Sequence, residues 1–402
     1  MSKFLKSMKK SIYVLALGAF GIITTEFGVV GILPTISRQF GVSIDTAGWL
    51  LSAFAITVAI SSPFITSFTA KINRKFLLCL VMSIFVLSNL ISAFSTNFTM
   101  LMVARILPAV LHPLFWNISI AIAFKEKGAK GVSTVMLGLS LATVLGIPMT
   151  TYAADLFHDW KASFFLSSAI SFIAFTGLLF FIPSLPAEKE KSEQSQLAIL
   201  KNPLLWINLI STIGTLAAMF SSYTYLTAYL EEITRMDGAQ ISIMLLLFGG
   251  MGTLGNWLMG IALSRNVKLT TRLFLLLLMS VQILAYFLGG AFIPMVIIVS
   301  FWGMIHTGGF LVSNIRTTQT IPHHALEFVN SLLTSSFNIG ISLGAFLGGI
   351  VSSYYGVQHV LSVSVLLLTA TFVLSFFSFP KNIATDDKNE DNELIAPVCE
   401  HI

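Results

Sequence analysis

Long apolar stretches separated by short polar breaks make up most of the chain. A helix needs roughly 20 mostly apolar residues to cross the hydrocarbon core of a bilayer. Stretches of that length recur twelve times, at residues 12–35, 46–70, 76–95, 100–123, 132–156, 162–183, 204–230, 240–263, 272–290, 293–315, 326–352 and 358–379. This pattern predicts an all-α integral membrane protein with twelve transmembrane helices.

The longest interior break, from Pro183 to Pro203, divides these stretches into six and six. It is dense in charged residues, glutamine and serine, which is typical of a linker in water. The residues after Pro380 are polar and acidic, and we predict a disordered tail there. The predicted organisation is a six-helix bundle, a linker, a second six-helix bundle and a tail, at residues 1–183, 184–203, 204–380 and 381–402.

The two halves repeat one feature of their fifth runs. Small residues stand at every fourth position, on one helical face that lets neighbouring backbones approach closely. They are Gly138, Ala142 and Gly146 in the first half and Gly340, Gly344 and Gly348 in the second. Pro148 follows the first set and removes a helical hydrogen bond, so we expect a bend there. Two similar halves predict a pseudo-symmetric transporter with its substrate site between them.

Composition agrees with lipid as the main solvent. Hydrophobic residues make up 55% of the 402, and charged residues only 10%. A soluble domain carries about 25% charged residues. A chain of this composition lacks the polar side chains that a soluble protein of this length needs on its surface.

Lysine and arginine predict the orientation, because loops rich in these residues face the cytoplasm. Of the 23 Lys and Arg, Arg105 lies well inside a run and is left out of the count. Counting loops alternately puts Arg38, Lys161 and Arg235 on one side, and the other nineteen, including Arg316 after the tenth run, on the side of both termini. We therefore expect a multi-pass inner (cytoplasmic) membrane protein with cytoplasmic termini. These loops explain the net charge of +5 without a nucleic-acid partner.

Three charged residues lie within the runs: Glu26, Arg105 and Asp155. Ionisable groups in hydrocarbon are costly and commonly functional. The helical rise puts Glu26 roughly 13 Å and Arg105 roughly 8 Å from the outer ends of their runs, so we expect similar depths. Burial favours a neutral carboxyl group and a nearby cation favours the charged form, so a change in their contact would load or unload a proton. The alternative is a fixed ion pair. Asp155 is expected to be interfacial.

Polar side chains in the fourth, tenth and eleventh runs are candidates for a substrate cavity. Two histidines lie near the middle of equivalent runs in the two halves, beside tryptophan and small residues, although a buried histidine is often a packing residue. Buried asparagines either bind substrate or form hydrogen bonds across helices. The candidate set is His112, Trp116, Asn117, His306, Asn314 and Asn338.

The sequence carries no motif for cofactor chemistry. Cys79 and Cys399 share no close spacing, and no metal cluster, phosphate loop or nucleophile triad is present. We therefore predict a carrier rather than an enzyme or an ATP-driven pump, with no metal and no cofactor. A facilitator or proton-coupled importer of a nutrient fits the same layout and stays open beside export. A receptor would need a larger extramembrane domain, and two glycine-lined halves favour rocking over a fixed channel.

Three stretches resemble motifs of the twelve-helix drug–proton antiporters of the major facilitator superfamily. The first run has an acidic residue followed by a G-x-L-P ending, the fourth has the arginine motif, and the fifth has the antiporter motif. The matching residues of the first run are Glu26, Gly31, Leu33 and Pro34. Those of the fourth run are Arg105 and Ala109, and the fifth run matches over residues 138–148. Asp155, Trp160 and Lys161 follow as in the sugar, purine and chloramphenicol efflux group, with Lys161 where arginine is usual. Thr150 and Thr151 replace a further glycine of the fifth-run motif.

The resemblance implies the major facilitator fold, a monomer whose two six-helix bundles rock about a central cavity. It implies Glu26 as proton acceptor and Arg105 as its relay partner. It also implies conformational roles for Gly138, Gly146 and Pro148 and for the basic loop residues Lys71, Arg74 and Lys75. The loop departs from the family pattern, with Ala70 at the acidic position and Thr66 and Asn73 at glycine positions, so we expect a weaker latch.

The sequence thus predicts a secondary active transporter that exports a small organic compound in exchange for protons by alternating access. The compound is a drug, a sugar or a nucleoside-like molecule. The predicted partners are this substrate, protons and the lipid bilayer.

Overall fold

A computed structural model of the chain describes residues 2–69, 72–184, 197–319, 321 and 326–379. These residues are almost entirely helical. The α-helices are α1 (Ser2–Gly28), α2 (Leu33–Phe40), α3 (Ile44–Phe68), α4 (Arg74–Ala93), α5 (Phe98–Leu141), α6 (Ile147–Leu156), α7 (Lys161–Phe181), α8 (Pro203–Tyr223), α9 (Leu226–Glu232), α10 (Gly238–Arg265), α11 (Val267–Leu288), α12 (Phe292–His306), α13 (Gly308–Thr318), α14 (Leu326–Tyr355) and α15 (Val360–Leu374).

Twelve helical segments within the described residues are long and apolar enough to cross a membrane. They are Ser11–Phe40, Ile44–Ser62, Arg74–Ala93, Phe98–Lys127, Gly131–Leu156, Lys161–Phe181, Pro203–Glu232, Gly238–Arg265, Val267–Leu288, Phe292–Thr318, Phe328–Tyr355 and Val357–Leu374. Large apolar side chains cover their outer surfaces: Phe180 is 73% exposed, Phe287 76% and Leu366 71%. Such a surface suits hydrocarbon rather than water. The predicted all-α fold with twelve transmembrane helices is confirmed.

The chain divides into two compact units. The first comprises Met1–Glu190 and Thr224–Leu246, and the second comprises Lys191–Tyr223 and Leu247–Ile402. The segment 224–246, expected in the second bundle, belongs to the first unit, where Glu231 pairs with Arg38. The predicted boundaries otherwise remain a prediction, since residues 185–196 of the linker and the tail 381–402 lie outside the described residues.

In the first unit, the glycine face of the fifth span packs against α1. A Cβ at Gly138 would meet the backbone carbonyl of Ala16, and one at Gly146 would meet the Thr24 side chain. The backbone between them forms a π-helical turn over Ala142–Gly146, directly before Pro148. Such turns occur mostly as single interruptions of α-helices, where they bend the chain. The predicted irregularity at Pro148 therefore takes the form of a π-turn.

The second unit repeats this packing with different residues. A Cβ at Gly344 would meet the backbone carbonyl of Ala217 on α8, and one at Gly340 would meet Leu216 and the carbonyl of Ile213. Small residues on α14 therefore let its backbone approach α8 closely, as the spacing predicts. The two glycine faces confirm the internal repeat at the level of packing.

Two irregularities in the helices of the first unit shape the candidate site. The α-helix α1 ends at Gly28 and continues as a 3₁₀ turn over Val29–Ile32, before Pro34 opens α2. In α5, Pro108 cannot donate a hydrogen bond to the carbonyl of Ala104. The Ser88 hydroxyl donates to that carbonyl instead, at 2.7 Å. The interrupted helices therefore expose backbone carbonyls that side chains can reach.

Candidate functional site

Arg105 anchors the end of α1 through backbone oxygens. Its side chain is 2% exposed, and its Nη1 and Nη2 donate to the carbonyls of Thr25 and Glu26, both at 3.1 Å. Its Nε donates to the carbonyl of Leu50 on α3 at 3.3 Å. The last four carbonyls of an α-helix lack intrahelical partners, and a cation near them is also favoured by the helix dipole. Arg105 thus fixes the turn that carries Glu26.

The Glu26 carboxylate pairs with histidine rather than with arginine. The structure places Glu26 Oε2 3.2 Å from His112 Nε2, with side chains that are 4% and 7% exposed. The Arg105 guanidinium instead binds the backbone carbonyl of Glu26. The ring of Phe54 lies beside both basic side chains, with its centroid 5.5 Å from the Arg105 guanidinium and 5.9 Å from the His112 ring. His112, expected in a substrate cavity, therefore lies at the predicted proton site.

Trp116 completes this cluster from the same helix as His112. Its indole Nε1–H donates to His112 Nε2 at 3.0 Å, over the four-residue spacing of a helical turn. The other ring nitrogen, His112 Nδ1, is buried without a hydrogen-bond partner in the structure. One nitrogen therefore faces both a donor and a carboxyl group. The position of a single proton decides which of these two contacts is a hydrogen bond.

The turn after Glu26 packs against the threonines that replace a family glycine. A Cβ at Gly28 would lie 3.0 Å from the Thr150 hydroxyl, and one at Gly31 would overlap the Thr151 side chain. Both hydroxyls donate to the carbonyl of Ile147, at 2.8 and 2.9 Å. The glycines of the first span thus accommodate the threonines, and the departure in the fifth-span motif leaves this contact tight.

His306, the counterpart of His112 in the second half, lies among aromatic rings. Its ring centroid is 5.0 Å from that of Tyr223, 5.3 Å from Phe248 and 5.7 Å from Phe220. The side chain is 4% exposed, and its Nδ1 has no hydrogen-bond partner in the structure. Among the described residues no carboxylate pairs with it. His306 is therefore placed for packing or aromatic recognition rather than for exchange with an acid.

The remaining cavity candidates lie on three different helices. Asn117 is exposed on α5, Asn314 is half-buried on α13, and Asn338 is buried on α14. The Asn338 Nδ2 donates to its own helix at Thr334, while its Oδ1 has no partner. Their roles in substrate binding stay predictions.

The basic loop and the outer acid have local contacts. Asn73, at a position where the family has glycine, caps α4 by accepting from the backbone N–H of Lys75 at 3.0 Å. Arg74 and Lys75 form no ion pair in the structure, and Lys71 lies outside the described residues. Asp155 is half-buried and lines a polar cavity of about 320 Å³. The conformational role of the loop remains a prediction.

The sequence analysis missed Arg316. It was counted as a loop residue, but the tenth span extends to Thr318 and Arg316 is 0% exposed. Its Nη2 donates to the Thr212 hydroxyl at 3.1 Å and to the Asn208 carbonyl at 3.4 Å. Asn208 and Thr212 are polar residues four positions apart on α8. This spacing indicates a polar partner, such as Arg316, on a neighbouring helix. The predicted count of three charged residues within the spans is therefore wrong.

A twelve-span helical fold with internally repeated packing and a buried acid–base pair defines a membrane carrier. The sequence model of the Major Facilitator Superfamily matches residues 15–327. The chain therefore belongs to this superfamily, as the resemblance of its motifs predicted, and it is a multi-pass membrane transport protein.

Curated relatives match nearly the full length. The chain is 33% identical over 380 residues to the inner membrane transport protein YdhP of Escherichia coli (strain K12), covering 92% of this chain and 96% of the relative. It is 28% identical over 381 residues to an uncharacterized MFS-type transporter, YtbD, of Bacillus subtilis (strain 168), covering 93% and 96%. It is 27% identical over 372 residues to a probable sugar efflux transporter of Helicobacter pylori (strain P12), covering 91% and 95%.

Solved structures share the fold at low sequence identity. The nucleoside transporter NupG superposes with a TM-score of 0.74 at 13% identity, covering 93% of this chain and 100% of that chain. A bacterial homologue of the human lysosomal transporter Spinster, inward-facing and occupied, superposes with a TM-score of 0.75 at 14% identity, covering 94% and 96%. These similarities confirm the twelve-helix major facilitator fold.

Proposed function

We propose that the protein exports a small organic compound in exchange for protons by alternating access, and that Glu26 carries the proton. The observation that carries this proposal is the buried pair between Glu26 and His112, at 3.2 Å within the first unit. Buried acids and histidines in transporters commonly form proton pathways. Sugars are the first substrates to test, because a relative is named a probable sugar efflux transporter.

The pair can hold one proton in two arrangements. In the first, the neutral ring keeps its hydrogen on Nδ1, and the single lone pair of His112 Nε2 accepts either from Trp116 or from a protonated Glu26. In the second, the proton lies on Nε2, the imidazolium donates to the Glu26 carboxylate, and the Trp116 N–H loses its acceptor. Both are net neutral, as hydrocarbon favours. The site can therefore pass a proton between two groups without a change in its net charge.

Release of that proton changes the electrostatics of the site. The Glu26 carboxylate would then face the lone pair of His112 Nε2, and this repulsion disfavours the present packing of α1 on α5. The buried guanidinium of Arg105 remains as the nearby positive charge, held on the carbonyls of Thr25 and Glu26. A carrier couples proton and substrate when each binds one conformation better than the other. Loss of the proton changes the free energy of the contact between α1 and α5, and so changes which conformation is favoured.

The test is transport in proteoliposomes with an imposed pH gradient. We expect parent protein to move a sugar against its concentration gradient, and Glu26→Gln to fall to the background of empty liposomes while substrate exchange without a gradient persists. The matched control is Glu232→Gln, the same change at an exposed carboxylate, which should transport like the parent. Gradient-driven transport by Glu26→Gln at the parent rate would contradict the proton role. Uptake rather than export would favour an importer.

A further inference from the structure

A second buried cation lies in the second unit, between α8 and α13. Arg316 is 0% exposed, and only its Nη2 is bonded, to the Thr212 hydroxyl and the Asn208 carbonyl. Its Nε and Nη1 have no hydrogen-bond partner in the structure. Among the described residues no carboxylate forms an ion pair with this guanidinium. A charged group inside a span is thus left without compensation.

The two helices that meet at Arg316 also carry buried polar side chains without hydrogen bonds. Asn208 Nδ2 and Oδ1 are buried without a hydrogen bond, and so are the hydroxyls of Ser211 and Ser313. Asn208, Ser211 and Thr212 share one face of α8, since they are three and four residues apart. Ser313 precedes Arg316 by one turn of α13. Unbonded polar groups on α8 and α13 therefore lie within one helical turn of Thr212, which bonds Arg316, or of Arg316 itself.

The charge decides what kind of group completes this cluster. Water or a neutral hydroxyl can satisfy hydrogen-bonding atoms, but neither compensates a buried positive charge. Arginine presents a planar fork of N–H donors that matches the two oxygens of a carboxylate or phosphate group. An amide N–H₂ and two hydroxyls add further donors for the same oxygens. The chemistry of the donor set therefore favours an oxyanion over a sugar hydroxyl or a cation.

We propose that Arg316, with Asn208, Thr212, Ser211 and Ser313, forms an anion-binding site for a carboxylate or phosphate group. The group belongs either to a soluble organic anion that the carrier transports or to a phospholipid headgroup. Both share the chemistry that the guanidinium recognises. The site lies in the opposite unit from Glu26 and does not depend on proton coupling.

Thermal unfolding of the full-length protein tests the site directly. The probes are acetate and inorganic phosphate at constant ionic strength against chloride, in uncharged detergent. We expect a concentration-dependent rise in Tm for the parent. Arg316→Met should lose this rise, and Arg316→Lys, which keeps the charge without the fork, should need roughly tenfold more anion. The matched control Arg265→Met removes an exposed cation and should respond like the parent.

A second arm separates the two sources of the anion. Phosphatidylcholine carries a phosphate but no net charge, so nanodiscs of this lipid with phosphatidylglycerol should be more stabilising than those without it, in a way that depends on Arg316, only if the headgroup of an anionic lipid occupies the site. A response to acetate or phosphate alone points to a soluble anion. The proposal is overturned if no anion stabilises the parent in either arm, or if Arg316→Met responds as strongly as the parent.

Discussion

The two histidines at equivalent places in the two halves have opposite surroundings. His112 lies 3.2 Å from a buried carboxylate, whereas His306 is enclosed by the rings of Tyr223, Phe248 and Phe220. The backbone packing of the two halves repeats, with glycine faces on the fifth and eleventh spans. The repeat therefore extends to helix packing but not to side-chain chemistry. In our proposal the first half exchanges a proton, while the second encloses its histidine in aromatic rings.

The two buried arginines differ in the same way. All three nitrogens of Arg105 donate to backbone carbonyls, and Glu26 supplies a nearby acid. Arg316 has one bonded nitrogen and two without partners. A buried cation whose N–H groups all form hydrogen bonds stabilises the fold, whereas one with free N–H groups is placed to bind a ligand. The first unit thus contains its own counter-charges, and the second depends on a group from outside.

The largest effect is expected from the histidines. In His112→Leu the proton has no second site and Trp116 loses its acceptor, so the coupling between proton and substrate should fall by roughly 5- to 150-fold. His306→Leu keeps an apolar group among the rings and should leave the pH dependence of transport unchanged, whatever it does to substrate affinity. The measurement is export rate against pH between about 5 and 8 in proteoliposomes.

Two further variants make this comparison specific. His112→Gln keeps a side-chain donor and acceptor but has no titratable group. It should therefore fold like the parent and lack the pH dependence of the parent. Trp116→Phe removes the indole N–H while keeping an aromatic ring, and it should shift the pH profile without abolishing export. A pH profile that changes in His306→Leu and not in His112→Leu would reverse the assignment of the two halves.

Much of the fold follows from the sequence for simple physical reasons. A span must be long and apolar, so all twelve were visible from hydropathy, and the glycine faces were visible because close backbone contact requires small residues at helical spacing. The position of Glu26 within the first span was predictable in the same way. These features depend on local composition, which a single sequence records.

The partners of the buried groups were not predictable in this way. Arg105 donates to carbonyls because α1 stops being α-helical at Gly28, and neither the helix end nor its free carbonyls appear in a hydropathy pattern. Which side chain faces Glu26 depends on the rotation of α5 against α1, and a sequence does not record it. Arg316 was misplaced because a charged residue ends an apolar run by composition, while the helix continues to Thr318.

Substitution of the two buried arginines should change the free energy of unfolding by an intermediate amount. Arg105→Met leaves three carbonyls without their donor and should lower the free energy of unfolding by about 1–3 kcal/mol. Arg316→Met removes an uncompensated charge and should leave that free energy unchanged or raise it by about 1 kcal/mol. Thermal unfolding in detergent without added oxyanions compares the two variants. Equal destabilisation by both would show that Arg316 is a structural cation like Arg105.

The smallest effect is expected at the ion pair between Arg38 and Glu231. It lies in the first unit like the pair of Glu26 and His112, but its side chains are 60% and 33% exposed. Exposed pairs contribute about 0–1 kcal/mol because water and salt screen them. A double-mutant cycle with Arg38→Ala and Glu231→Ala should therefore give a coupling free energy below about 1 kcal/mol that vanishes at high salt. A larger, salt-resistant coupling would show that this contact, and not only the buried pair, sets the preference between conformations.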